Sequence, residues 1–78
     1  MNDAIRQINF YVNEASPETI ADRAAYLTSV FIPWLRHGLE NTTRWTIENP
    51  GDKEMQELHS AYQVGVEFFN KWEQERAA

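Results

Sequence analysis

The side chains best suited to proton transfer or metal binding are two histidines, His37 and His59. A helical metal pair needs a second His, Cys or carboxylate at i+4, and neither histidine has one. Glu54 precedes His59 by five residues, which sets the two on different sides of a helix. The chain has no cysteine, so a thiolate zinc site and a thiol nucleophile are both excluded. A serine nucleophile would need an adjacent base and a strained turn. Ser16 reads instead as a helix cap, and Ser29 and Ser60 as polar-face residues. Gly38, Gly51 and Gly65 lie too far apart to form a phosphate-cradling loop. The expectation is therefore no catalytic residue, no metal, no cofactor and no enzymatic activity.

Two other patterns could do chemistry: charge and aromatic side chains. Twelve acidic residues against seven basic ones give a net charge of −5. Glu54, Glu57, Glu67, Glu73 and Glu75 stud the last third of the chain, opposed there only by Lys53, Lys71 and Arg76. The plain reading is a solvated helix face; the functional one is a surface that docks a basic protein. The sign of the charge argues against direct nucleic-acid binding, which needs Lys and Arg to release counterions.

Aromatic residues make up 13% of 78 residues, a large load for so small a core, so some rings should meet solvent or a partner. Phe31, Trp34, Tyr62, Phe69 and Trp72 fall on apolar stripes and read as core. Phe10, Tyr11, Tyr26, Trp45 and Phe68 fall at the edges. With Glu57 and Glu67 they form the candidate protein-interface set, since Trp and Tyr dominate interface hot spots. An alternative set, Tyr11, Arg23, Tyr26, Arg36 and Arg44, could line a small-ligand pocket at a subunit junction, where the arginines would converge on an anion.

These residues must be positioned by three segments divided at Ala15-Ser16-Pro17-Glu18 and Glu48-Asn49-Pro50-Gly51-Asp52. In the first, Ile5, Ile8, Val12 and Ala15 keep helical spacing, although this leaves Phe10 pointing away from the stripe. Ile8, Phe10 and Val12 also alternate as in a strand, and helix is the favoured reading. The second segment opens with Ser16 as N-cap, Pro17 in the first turn and Glu18 at the positive end of the helix dipole. Ile20, Ala24, Leu27, Phe31, Trp34, Leu35 and Gly38 follow on one sector of the wheel. Pro33 lies on the polar side of that pattern and predicts a kinked helix rather than two separate ones. The helix could end at His37-Gly38 or fray through Asn41-Thr42-Thr43, and Arg44–Glu48 alternates as if extended. Asp52 caps the third helix, where Met55, Leu58, Tyr62, Gly65, Phe69 and Trp72 keep a strict three-four rhythm. Ala61, Val66 and Phe68 widen that face until it needs more than one neighbour. Gly65, at its centre, implies close approach of another backbone or an aromatic ring, and Val64 should be exposed.

The expected architecture is all-α, a single helical domain over residues 1–78. It is a small three-helix bundle, or a helical hairpin with a short N-terminal helix, kinked at Pro33 and oligomeric. No apolar run is long enough to span a membrane. The N-terminus lacks a signal peptide's features, and the lack of cysteine fits the cytoplasm. Gln63-Val64-Gly65 resembles the Gln-x-Gly in the last helix of phage helical-hairpin proteins that sequester cyclic-nucleotide signals. That resemblance covers one short stretch. The charged opening of that group has no counterpart here, so no binding residue carries over. A small, acidic, cysteine-free chain without catalytic groups has the profile of a phage-encoded inhibitor or adaptor. Such a protein would act on a host enzyme or defence complex through acidic helix faces and exposed aromatics. The alternative is an oligomeric small-ligand binder or sponge.

Overall fold

Local sequence signals set the helix starts. In the computed structural model, which describes residues 2–77, the Asn2 side chain accepts the Ala4 amide at 2.8 Å and opens α1 (Asp3–Asn9). Ser16 accepts the Thr19 amide at 3.2 Å and Pro17 occupies the first turn of α2 (Pro17–Asp22). Arg23 interrupts the helix with φ −101° and ψ 13°, and α3 (Ala24–Tyr26) resumes beyond it. The longest helices are α4 (Ile32–Glu48) and α5 (Lys53–Ala77). Asp52 caps α5 as its sequence position implies, its Oδ1 accepting the Met55 amide at 3.1 Å. No described residue lies in a strand, which resolves the ambiguity of the first segment in favour of helix. An N-cap serine typically contributes ~1 kcal/mol. Ser16→Ala should lower the folding free energy by about that much in urea titrations.

Two wide turns place side chains where an ideal helical wheel does not. Phe10–Glu14 and Leu27–Phe31 are π-helical. In each, the bond reaches five residues back: Ala15 N–H to the Phe10 carbonyl, and Ile32 N–H to the Leu27 carbonyl. Residues five apart therefore stack. Ala15 comes to lie over Phe10, and both pack against the core. Ile32 comes to lie over Leu27, and both are buried. The second wide turn ends just before Pro33, leaving the proline in the first turn of α4. The Thr28 and Ser29 hydroxyls donate to the Ala24 and Ala25 carbonyls beneath this widened turn.

The Arg44–Glu48 stretch is helical, not extended, and His37-Gly38 does not end the helix. Threonine is a poor helix former because its hydroxyl competes for backbone groups. Here that competition is spent inside the helix. Thr42 and Thr43 donate to the Gly38 and Leu39 carbonyls at 2.7 Å, and Thr46 to the Thr43 carbonyl at 3.0 Å. Thr42 is buried, and its hydroxyl also meets His59 Nδ1 at 3.1 Å across the α4–α5 seam. The helix stops at Asn49, whose backbone and side-chain amides both reach the Trp45 carbonyl.

The short turn at residues 49–52 folds α5 back along α4, and α1 packs against α5. The molecule measures 39 × 24 × 17 Å, its long axis matching the roughly 37 Å expected of the 25 residues of α5. Ile8, Tyr11, Ile20, Leu27, Phe31, Ile32, Leu35, Tyr62 and Phe69 form the core. Gly65 lets three helices meet. A Cβ built there would lie 3.1 Å from Leu35 Cδ2 of α4 and 3.2 Å from Ile8 Cγ2 of α1. The breadth of the α5 stripe is thus used within one chain, because Leu58, Ala61, Val66, Phe68 and Trp72 all pack against this core.

Burial pushes the Tyr62 phenol above its usual range by desolvating the phenolate. The unfolded chain releases this proton first. The resulting stabilisation is intact below the unfolded phenol's pKa of about 10 and is lost as pH rises through the folded value. Urea midpoints should therefore fall more steeply in alkaline solution for the wild type than for Tyr62→Phe.

Candidate functional site

Two surface features are built by specific local interactions. The first is at the turn joining α4 and α5. Trp45, near the end of α4, remains 43% exposed, and Ile47, two residues on and on another side of the helix, is 76% exposed. The indole Nε1–H of Trp45 donates to Asp52 Oδ2 at 3.2 Å, while the other oxygen of the same carboxylate caps α5. One aspartate therefore fixes the helix start and the ring together. The ring is held on the surface in a defined orientation, which lowers the entropy cost of using it in a contact. Glu48 lies exposed at the same end of α4, so this apolar tip carries acidic neighbours.

The second feature is a concave corner between the N-terminal segment and Arg23. Arg6, Gln7, Phe10, Tyr11, Glu14 and Arg23 line a cavity of about 550 Å³. From the irregular residue Arg23, the side chain reaches back across the chain. Its Nη1 donates to Tyr11 Oη at 3.1 Å, and its guanidinium carbon lies 5.6 Å and 5.9 Å from the Phe10 and Tyr11 ring centroids. These are cation–π distances.

The residues expected at an interface divide in two. Tyr26, Trp45, Glu57 and Glu67 are exposed, with Tyr26 at 47%. Phe10 and Phe68 are half-buried against the core, and Tyr11 is inside it. Tyr11 packs its ring 4.9 Å from Phe31 and 6.0 Å from Phe69, and only its hydroxyl edge serves the Arg23 corner. Of the alternative ligand set, the structure brings Tyr11 and Arg23 together. Arg36 is held by Glu73 at 3.1 Å and Asn70 at 3.4 Å, and Arg44 lies 3.8 Å from Glu40. Tyr26 packs its ring 6.3 Å from that of Phe31.

Sequence reasoning did not single out Arg6 as part of any site, nor Asp52 beside Trp45. The Trp45–Asp52 spacing of seven spans a turn, which a helical wheel does not represent. Val30 is also exposed, one helical turn beyond Tyr26, and Val64 is exposed as its place on the wheel implies. Among the described residues, no group of His, Cys, Asp and Glu side chains is arranged to hold a metal ion, and no helix is long and apolar enough to cross a membrane.

The fold and these features define a small all-helical bundle. No protein-family model, curated protein or solved structure matches the chain.

Proposed function

We propose that the protein is a non-enzymatic interaction module, an inhibitor or adaptor that docks on the basic surface of another protein in the cytoplasm. The observation that carries this reading is Trp45: a large ring, exposed yet fixed by the Asp52 carboxylate. Interface hot spots are enriched in such rings, pre-oriented and rimmed by polar groups. Glu48, one turn beyond Trp45, and the acidic face of α5 supply the charge that steers a basic partner.

Self-association is the second part of the proposal. The support for it is the pair Tyr26 and Val30, exposed one turn apart on the surface of the second segment. The bend proposed at Pro33 would angle this pair away from the Trp45 tip and leave each free to meet a different surface. Native mass spectrometry should show a dimer or larger assembly, and a chain that stays monomeric at every concentration removes this part.

The docking reading is tested with Trp45→Ala. The circular dichroism spectrum and melting behaviour should stay close to wild type, because the ring lies outside the core. Capture of a basic protein by immobilised wild type should fall steeply with salt, as expected of screened charges, and should be lost in the variant. Equal capture by both proteins would refute the assignment of Trp45.

A further inference from the structure

The Arg23 corner goes beyond the docking reading, because its chemistry is of the opposite sign. On a chain with net charge −5, this cavity is lined by two arginines and one glutamate. The carboxylate is engaged elsewhere: Glu14 Oε2 accepts from Asn9 Nδ2 at 3.0 Å. No carboxylate lies within ion-pair distance of Arg6 or Arg23 among the described residues, whereas Arg36 and Arg44 each have an acidic partner.

Arg23 is also oriented. Its Nη1 is spent on Tyr11 Oη, and its inner face lies over Phe10 and Tyr11. A guanidinium carries five N–H donors in a planar fork, so most of its donors and its outer face are available. The irregular backbone at Arg23 and the wide turn at Phe10–Glu14 are what bring these groups together. Such local departures from regular helix recur at functional sites.

We propose that this corner binds a small aryl oxyanion, a planar ring bearing a phosphate or carboxylate. The oxyanion would take the free fork of Arg23 and the guanidinium of Arg6. The ring would stack on the outer face of Arg23 and the exposed part of Phe10, with Gln7 at the rim. An oxyanion suits the fork because two parallel N–H bonds match its geometry. A planar ring suits a guanidinium that already sits against aromatic neighbours. Tyr11 acts as a positioning residue, holding Arg23 in place through its hydroxyl.

The test is a titration of the full chain with phenyl phosphate at constant ionic strength, followed by amide chemical shifts and calorimetry. Saturable shifts are expected at residues 6–14 and 23. Arg23→Gln should weaken binding by about tenfold or more, the usual cost of losing a charged hydrogen bond. Arg6→Gln should weaken it to a similar degree. Tyr11→Phe keeps the buried ring and should weaken binding by a few fold, through loss of Arg23 positioning. Glu14→Gln removes a like charge from the cavity and should tighten binding. Inorganic phosphate should bind more weakly than phenyl phosphate, and benzyl alcohol should not bind. The assignment is overturned if phenyl phosphate produces no saturable shift, if the shifts centre on Arg36 or Arg44, or if Arg23→Gln binds as wild type does. Equal binding of phenyl phosphate and inorganic phosphate would remove the aryl half of the ligand.

Discussion

Phe69→Ala should leave the chain without a cooperative unfolding transition, or with one displaced to very mild denaturant. Phe69 is 1% exposed, and its ring is where the three parts of the sequence meet. Tyr11 of the N-terminal segment lies 6.0 Å away, Phe31 of the second segment 5.7 Å, and Trp72 of α5 itself 5.6 Å. Removing a buried phenyl ring costs ~3–5 kcal/mol in transfer and cavity terms. The whole stability of a 78-residue chain is roughly 4–12 kcal/mol, so this single loss consumes much of it. Near-ultraviolet circular dichroism should collapse first, because the aromatic cluster loses its fixed packing. Far-ultraviolet signal should persist longer, since helix can outlast side-chain order. Ile47→Ala, at an exposed position, is the control and should change stability by no more than about 0.5 kcal/mol. If Phe69→Ala melts like wild type, these rings are not what joins the N-terminal segment to α4 and α5.

The parts of this architecture that were legible from the chain rest on local chemistry. Ser16-Pro17 and Asp52 announce helix starts because a free amide takes the nearest side-chain oxygen whatever the tertiary context. Gly65 announces close packing, although the neighbours are the aliphatic side chains of Leu35 and Ile8 and not a backbone or an aromatic ring. Legibility failed where the helix period changes. The wide turn at Leu27–Phe31 adds a residue to one turn and rotates everything after it. Ile32 therefore joins the core with Leu27, although the ideal wheel left it off the stripe. The same device at Phe10–Glu14 brings Phe10 and Ala15 to one side, resolving the conflict that made a strand seem possible. Arg44–Glu48 was misread for a different reason. Alternation of apolar and polar residues over so short a stretch fits both periods, and pattern alone does not separate them.

Of the candidate site, residue type pointed to Trp45 and Arg23, but not to what holds them. Asp52 reaches Trp45 across a turn, and Tyr11 reaches Arg23 across the break between α1 and α2. Both are relations between segments, set by how the helices pack. The breadth of the α5 stripe gives the same lesson. It called for more than one neighbour, and the fold names them as α4 and α1.

Gly38 and Gly65 allow the packing of α5 to be tested by two substitutions that look alike in sequence and should behave differently. Both glycines lie within helices, so alanine should gain up to about 1 kcal/mol of helix propensity at either. At Gly65 the added methyl meets Leu35 Cδ2 and Ile8 Cγ2 at distances that a small shift relieves. The gain and the crowding should nearly cancel there. At Gly38 the added carbon would fall on the Tyr62 ring, against Cε1 and Cζ. That ring has little room to give way, because it is buried and set edge-on to Trp34 at 5.3 Å between centroids. Overpacking of this kind costs ~1–3 kcal/mol, sometimes more, so Gly38→Ala should be clearly destabilising despite its better helix propensity. The decisive comparison is in a Tyr62→Ala background. Tyr62→Ala alone should be strongly destabilising, yet adding Gly38→Ala to it should be neutral or stabilising, because the obstacle is gone and the propensity gain remains. The two substitutions should therefore be coupled by about 1–3 kcal/mol in a double-mutant cycle, within the range expected for residues in direct contact. Additive effects would mean that Gly38 does not face Tyr62, and that α4 and α5 are not in the register that also aligns Thr42 with His59.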